Sequence, residues 1–181
     1  MSTLKVNSII PVAGVPTGGG GGIIQVVQAV KTDTASINSS TKADISGLTP
    51  TITLTSTSSK VLIIMDVKIG ASHYGDDFGI CFNRSISGGA SSEIYVGDTS
   101  SSRRSATYAT EDFYAGNGDH QLMSVQSVFL DSPSTTSQIT YSLKWNRIDG
   151  GTVYINRDGD GNDDNKSPRT ASSLTLMEVS A

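Results

Sequence analysis

Residues 61–69, VLIIMDVKI, constrain the fold of this chain more than any other segment. Val61, Ile63, Met65, Val67 and Ile69 are all apolar, while Asp66 and Lys68 fall between them. Side chains alternate across a strand, so a period of two puts one apolar row on one face. A helix would scatter the same residues around its circumference. Ile139, Tyr141, Leu143 and Trp145 repeat the pattern against Thr140, Ser142, Lys144 and Asn146. Two long strands, each with one face in a core, are therefore expected.

Further strands are expected over 23–30, 50–55, 79–86, 92–97, 121–130, 151–156 and 173–179. The segments between several of them carry turn chemistry: Ser87-Gly88-Gly89, Gly116-Asn117-Gly118 and Asp149-Gly150-Gly151. Glycine and asparagine supply the positive φ that such turns need. Asp149-Gly150 between two alternating runs reads as a hairpin signal. No capped helical period occurs. Hydrophobic residues make up 36% of the chain and Ser/Thr dominate its polar positions, a composition that suits a thin β-sandwich. The expected fold is all-β, an antiparallel β-sandwich of jelly-roll type with about eight to ten strands and an extended N-terminal arm. Two stretches fit a compact monomer less well. Residues 31–47 are mostly Ser/Thr/Asp with isolated Ile37 and Ile45, and read as an irregular strand or a surface crossing. Residues 98–118 carry Arg103-Arg104 and the aromatics Tyr108, Phe113 and Tyr114.

The organisation expected is an anchoring arm with a glycine linker over 1–22 and a sandwich domain over 23–181. Gly18 to Gly22 are consecutive glycines, and glycine loses the most backbone entropy on folding while bringing no side chain to a core. The leader before them carries Leu4, Val6, Ile9 and Ile10, with Pro11 and Pro16 stiffening its exit. These six residues are the expected anchor, ordered by a partner whose surface buries their apolar area.

Composition narrows the remaining classes. The chain has 181 residues, Lys+Arg 13 against Asp+Glu 17, and a formal net charge of -4, which gives no electrostatic footprint for nucleic acid. No stretch approaches the roughly 20 apolar residues of a membrane span, and the broken apolar run 9–15 is too short for a secretory signal. The lone Cys81, flanked by Ile80 and Phe82, reads as a small buried residue without a disulfide. His73 and His120 both lie in polar Gly/Asp loops, away from it in sequence. Asp158, Asp160 and Asn162 resemble the opening of a calcium loop, but Asp163 stands where the sixth-position glycine belongs and Arg169 where the bidentate Glu belongs. The 158–165 segment is thus either a solvated loop or a weak attractor of a hard cation, and no metal site is assigned. Asp76-Asp77 and Glu111-Asp112 are adjacent acids with nothing to set them across a substrate. No nucleophile elbow occurs, and the glycine run lacks the Lys-Ser/Thr ending of a phosphate loop. The expectation is a non-enzymatic protein without a cofactor.

STLKVNSI, a Pro/Gly linker and IIQVVQAVKTD resemble the N-terminal region of tail-fibre-like virion proteins of marine bacteriophages, including those that infect cyanobacteria. VFLDSPSTTSQITYSLKWN, GGTVYINR and SPRTASSLTLMEV are similar to the C-terminal half of the same group. The likeness spans most of the chain and is weakest over 72–118. It implies a phage virion structural protein on the particle exterior, a homotrimer with a β-sandwich head, attached through its N-terminus to a tail or capsid component. Arg103, Arg104, Tyr108, Phe113 and Tyr114 are the candidate contacts, either with a host surface glycan or protein or between subunits. The chain lacks the long shaft of a typical fibre. A short tail-fibre or appendage for host contact and a capsid-decorating protein of purely structural role are the two readings.

Overall fold

The computed structural model describes residues 22–72, 76–113 and 121–181; the six anchor residues of the leader, His73, Tyr114 and His120 lie outside them. The described residues form twelve strands and no helix: β1 (Ile23–Lys31), β2 (Ala35–Ile37), β3 (Ala43–Asp44), β4 (Thr51–Ile52), β5 (Lys60–Ala71), β6 (Asp76–Ile86), β7 (Ser91–Ile94), β8 (Tyr108–Phe113), β9 (Met123–Asp131), β10 (Ile139–Asp149), β11 (Val153–Ile155) and β12 (Ser172–Val179). Every pairing is antiparallel, in two sheets.

The segment with the strictest alternation becomes the central strand of the first sheet. β9 pairs with β5 along one edge, from Val61↔Asp131 to Ile69↔Met123. The other edge is shared by β12, from Val179↔Lys60 to Ser173↔Asp66, and by β11 from Ile69 to Ala71. β1 then pairs outside β12 and β2 outside β11. In the second sheet β10 lies between β6 on one side and the short β3 and β4 on the other, while β7 and β8 pair with the far edge of β6.

The odd residues of β5 face the second sheet. Val61, Ile63, Val67 and Ile69 have no exposed surface, and they share one buried cluster with Phe78, Ile80 and Phe82 of β6 and Ile139, Tyr141, Leu143 and Trp145 of β10. The two sheets are thus the layers of a sandwich closed on a single core. Tyr95, just past β7, stacks on Phe129 of β9 at 4.5 Å between ring centroids, which bridges the sheets at their open side.

One sequence expectation changes, and one open alternative is decided. Asp149-Gly150 is not a hairpin turn: β10 belongs to the second sheet and β11 to the first, so Gly150, at φ 83, turns a corner between layers. The hairpin chemistry is used instead at Ser87-Gly88-Gly89, where β6 meets β7 and Gly88 has φ 78. Residues 31–47 are no surface crossing. They carry β2 and β3, and Ile37 and Ile45 are both buried in the core.

Two sets of buried polar groups tie parts of the sandwich together. Arg84 Nη1 of β6 donates to both oxygens of Asp131 at 2.8 and 2.9 Å, and the Tyr141 hydroxyl of β10 donates to Asp131 Oδ2 at 2.6 Å. Burial first, then the Asp131 carboxylate, raises the Tyr141 pKa far above the usual phenol range, so this hydroxyl stays a donor. Asp131 ends β9 in the first sheet and its two donors sit in the second, so the trio ties the layers together. At the other end of the core face of β12, buried Glu178 accepts from Gln25 Nε2 at 2.6 Å, Thr55 N at 2.8 Å and Thr55 Oγ1 at 2.7 Å. Burial pushes this carboxyl up, but the hydrogen bonds from Gln25, Thr55 and Ser59 outweigh it and hold its pKa below the ordinary glutamate value.

Removing Asp131 leaves the Arg84 cation half-buried without its partner. Asp131→Ala is expected to cost about 3–5 kcal/mol in chemical denaturation, against about 1 kcal/mol for Tyr141→Phe. A lowered folded pKa contributes stability that is present above the unfolded value and lost as pH falls through the folded one. The melting temperature should therefore hold from pH 7 to about 5 and then fall. The gap between the chain and its Glu178→Gln variant should shrink over the same acid range.

Candidate functional site

The two outer faces of the sandwich differ in chemistry. Alternation turns the even residues of β5 outward on the first sheet, and the register lines up their neighbours. Val26, Met177, Leu62 and Leu130 form one row across β1, β12, β5 and β9, and Gln28, Thr175, Ile64 and Val128 form the next. Ile23 and Val179 pair at the near end. Ile23, Val26 and Val128 are 59%, 56% and 57% exposed. These eight apolar side chains cover a footprint of about 300 Å² by strand spacing and rise. The far half of the face is polar, where Asp66 accepts from Lys68, Ser124 and Gln126. Burial raises the Asp66 carboxyl, and these three donors outweigh it and lower it. The apolar half lies where the chain enters the fold: Gly22 N donates to Ser180 Oγ and Ser180 N to the Gly22 carbonyl, both at 2.9 Å.

The second sheet carries a basic cleft on its outer face. A hollow of about 720 Å³ is lined by Arg103, Arg104, Ala109, Thr110 and Ile148. A smaller one of about 210 Å³ shares Arg104 and Ile148 and adds, among others, Lys42, Gly79, Ser105 and Asn146. Both arginines are exposed. Among the described residues neither guanidinium makes an ion pair or hydrogen bond. Lys42 differs, for its Nζ donates to Glu93 Oε2 at 2.6 Å and to the Ser105 carbonyl at 3.3 Å. Burial works against the Lys42 ammonium, but Glu93 and then Cys81 outweigh it and raise its pKa.

Asn146 forms part of the inner wall and is only 3% exposed. Its Nδ2 donates to the carbonyls of Ser40 at 3.3 Å and Arg147 at 3.0 Å. Those two acceptors fix the amide orientation and turn Oδ1 the other way. Among the described residues no donor reaches Asn146 Oδ1. Gly79 lies opposite: a Cβ there would stand 3.2 Å from this oxygen, so the absence of a side chain keeps it open to the hollow.

Of the expected contact residues, the structure brings Arg103 and Arg104 to the cleft. Tyr108 is half-buried instead. Its ring packs on Phe78 at 5.9 Å and its hydroxyl meets the Met123 sulfur at 3.1 Å. Phe113 closes β8, and its side chain, like Tyr114, lies outside the described atoms. Ile148, Asn146 and Lys42 went unnoticed in the sequence because they come from distant strands, and no local pattern separates them from ordinary sheet residues. Cys81 is fully buried, its thiol 3.8 Å from the Ser105 carbonyl and its pKa raised by burial.

The acidic loop spends its side chains on its own turns. Buried Asp158 accepts from Gly161 N at 3.1 Å, Asp160 from Asn162 Nδ2 at 2.7 Å, and Asp164 from the amides of Lys166 and Ser167 at 2.7 and 3.1 Å. Among the described residues no three His, Cys, Asp or Glu side chains converge to hold a metal ion. The loop lies flat on β5, where a Cβ on Gly70 would overlap the Arg157 carbonyl and one on Gly159 the Ala71 carbonyl. No protein-family model matches the chain, and comparison with curated proteins finds no match.

Proposed function

We propose that this chain is a non-enzymatic structural subunit of a phage particle, a short tail-fibre or appendage protein. In this reading Leu4, Val6, Ile9, Ile10, Pro11 and Pro16 dock into a tail or capsid component, and the sandwich projects outward towards the host surface. Copies associate as a homotrimer. The observation that carries the proposal is the apolar half-face of the first sheet, which includes Ile23, Val26, Leu62, Val128 and Leu130. A contiguous patch of about 300 Å² with a polar rim has the size of a monomer's largest apolar patch, and such patches are often functional. A second copy of the chain is its occupant. The patch adjoins Gly22, so subunits joined there bring their Gly22 residues to one end, which suits multivalent anchoring.

The jelly-roll assignment belongs to the same reading. Taking β1 with β2, β3 with β4, β7 with β8 and β11 with β12 leaves eight strands in two sheets of four. The first sheet then runs β1, β12, β5, β9 and the second β4, β10, β6, β7, so first and last strands are neighbours. That arrangement supports a double Greek key.

Native mass spectrometry of the intact protein should give a trimer, and Val128→Lys with Leu130→Lys should yield a folded monomer. Both side chains are already exposed, so their loss costs the fold little. A wild-type monomer at micromolar concentration overturns the assembly reading. Deleting residues 1–22 is expected to leave a soluble sandwich that no longer enters the particle, and normal incorporation of that variant sinks the anchoring role.

A further inference from the structure

We infer that the cleft formed by Arg103, Arg104, Ile148 and Asn146 is a binding site for an anionic saccharide, a sugar bearing a carboxylate or sulfate group. The inference deepens the reading of the sandwich as a host-contact module and rests on it, but it uses neither the leader nor the apolar face.

The charge comes from two neighbouring guanidinium groups with no protein partner among the described residues. Arginine forks match planar carboxylates and sulfate-like oxyanions with paired N–H donors. Lys42 is already paired with Glu93 and so adds neither net charge nor an anion contact. The volume of about 720 Å³ lies in the range of small-ligand sites.

The rest of the wall selects among anions. Ala109 and Ile148 are apolar and small enough to accept the C–H face of a pyranose ring, without the deep pocket an apolar side chain would fill. Asn146 Oδ1 is an acceptor turned away from the backbone contacts of its own amide nitrogen and left open to the smaller hollow by Gly79. An acceptor that no donor among the described residues occupies, in a hollow that Arg104 also lines, suits a ligand hydroxyl next to the anionic group. A bare sulfate-like ion satisfies the arginines and offers this oxygen no donor. An acidic sugar supplies both an anionic group and O–H donors a few ångströms apart. Duplex nucleic acid is disfavoured by the chain's net charge of -4.

Isothermal titration of the full chain with oligogalacturonate, with a sulfated carrageenan oligosaccharide, with neutral maltooligosaccharide and with poly-L-glutamate tests this. Binding of at least one anionic saccharide, and not of the neutral one, is expected. Arg103→Ala with Arg104→Ala should weaken it about tenfold or more. Lys60→Ala with Lys166→Ala, which removes the same charge from two other exposed positions, should change it less than about twofold. The carboxylated and sulfated arms separate the two sources of the anion. Absence of binding to both, equal loss in the two double variants, or equally tight binding of poly-L-glutamate overturns the inference. Circular dichroism and native mass spectrometry of each variant accompany the titration. Absence of saccharide binding by an intact wild-type trimer removes this inference alone, and a wild-type monomer that binds removes only the assembly reading.

Discussion

Everything in this sandwich depends on burying one side of β5. The strand receives β9 on one edge and β12 with β11 on the other, so its pleat sets the register of the whole first sheet. Its odd residues meet the odd residues of β10 and the even residues of β6 across the core. A slip of one residue would carry Asp66 and Lys68 into that core and five apolar side chains into water. The cost of either makes the register unambiguous. The close approach at Gly70 follows from it, since the far end of the strand must lie under the backbone of the acidic loop.

The polar interior reinforces what the apolar core selects. Asp131, Arg84 and Tyr141 join the last residue of β9 to both long strands of the other sheet, and Glu178 joins β12 to β1 and to the segment before β5. Asn156, at φ 61, closes the break between β11 and β12. Its Nδ2 donates to the carbonyls of Lys31 and Asp33, and its Oδ1 accepts from Ser172. These contacts sit where strands end or change direction, at the points where backbone pairing alone leaves donors and acceptors without partners. The result is a rigid slab with two free faces. One is half apolar, at the end where Gly22 pairs with Ser180; the other holds Arg103 and Arg104, which have no partner among the described residues, near the open amide oxygen of Asn146. The proposed subunit contact and the proposed saccharide site thus fall on different faces.

The long strands were legible because alternation is a local signal, and β5, β6, β9, β10 and β12 stand within a few residues of where it puts them. β2, β3 and β8 were not. Each is short or built of Ser, Thr, Ala and acidic residues, and becomes a strand only because a neighbouring edge offers hydrogen bonds. The Asp149-Gly150 turn misled for a related reason: its chemistry specifies a reversal of the chain, and only the packing of two layers decides whether the next strand returns beside the last or crosses over. At the cleft, Arg103-Arg104 was conspicuous as a pair. Tyr108 was equally conspicuous and is tucked against Phe78, because aromatic composition says nothing about which way a side chain faces.

By itself the sequence determined that this chain is all-β, which apolar rows of its two most strictly alternating strands fill the core and where its long strands run. These follow from hydrophobic period and turn chemistry, which act over a few neighbouring residues. Tertiary structure alone decided which strands pair, that Ile37 and Ile45 are core, and that Val26, Leu62 and Leu130 align as one apolar row. It alone placed Asn146 of β10 beside Gly79 of β6 and the arginines before β8. Such groupings join residues tens of positions apart in the chain, and antiparallel register brings them together through backbone hydrogen bonds that carry no side-chain signature.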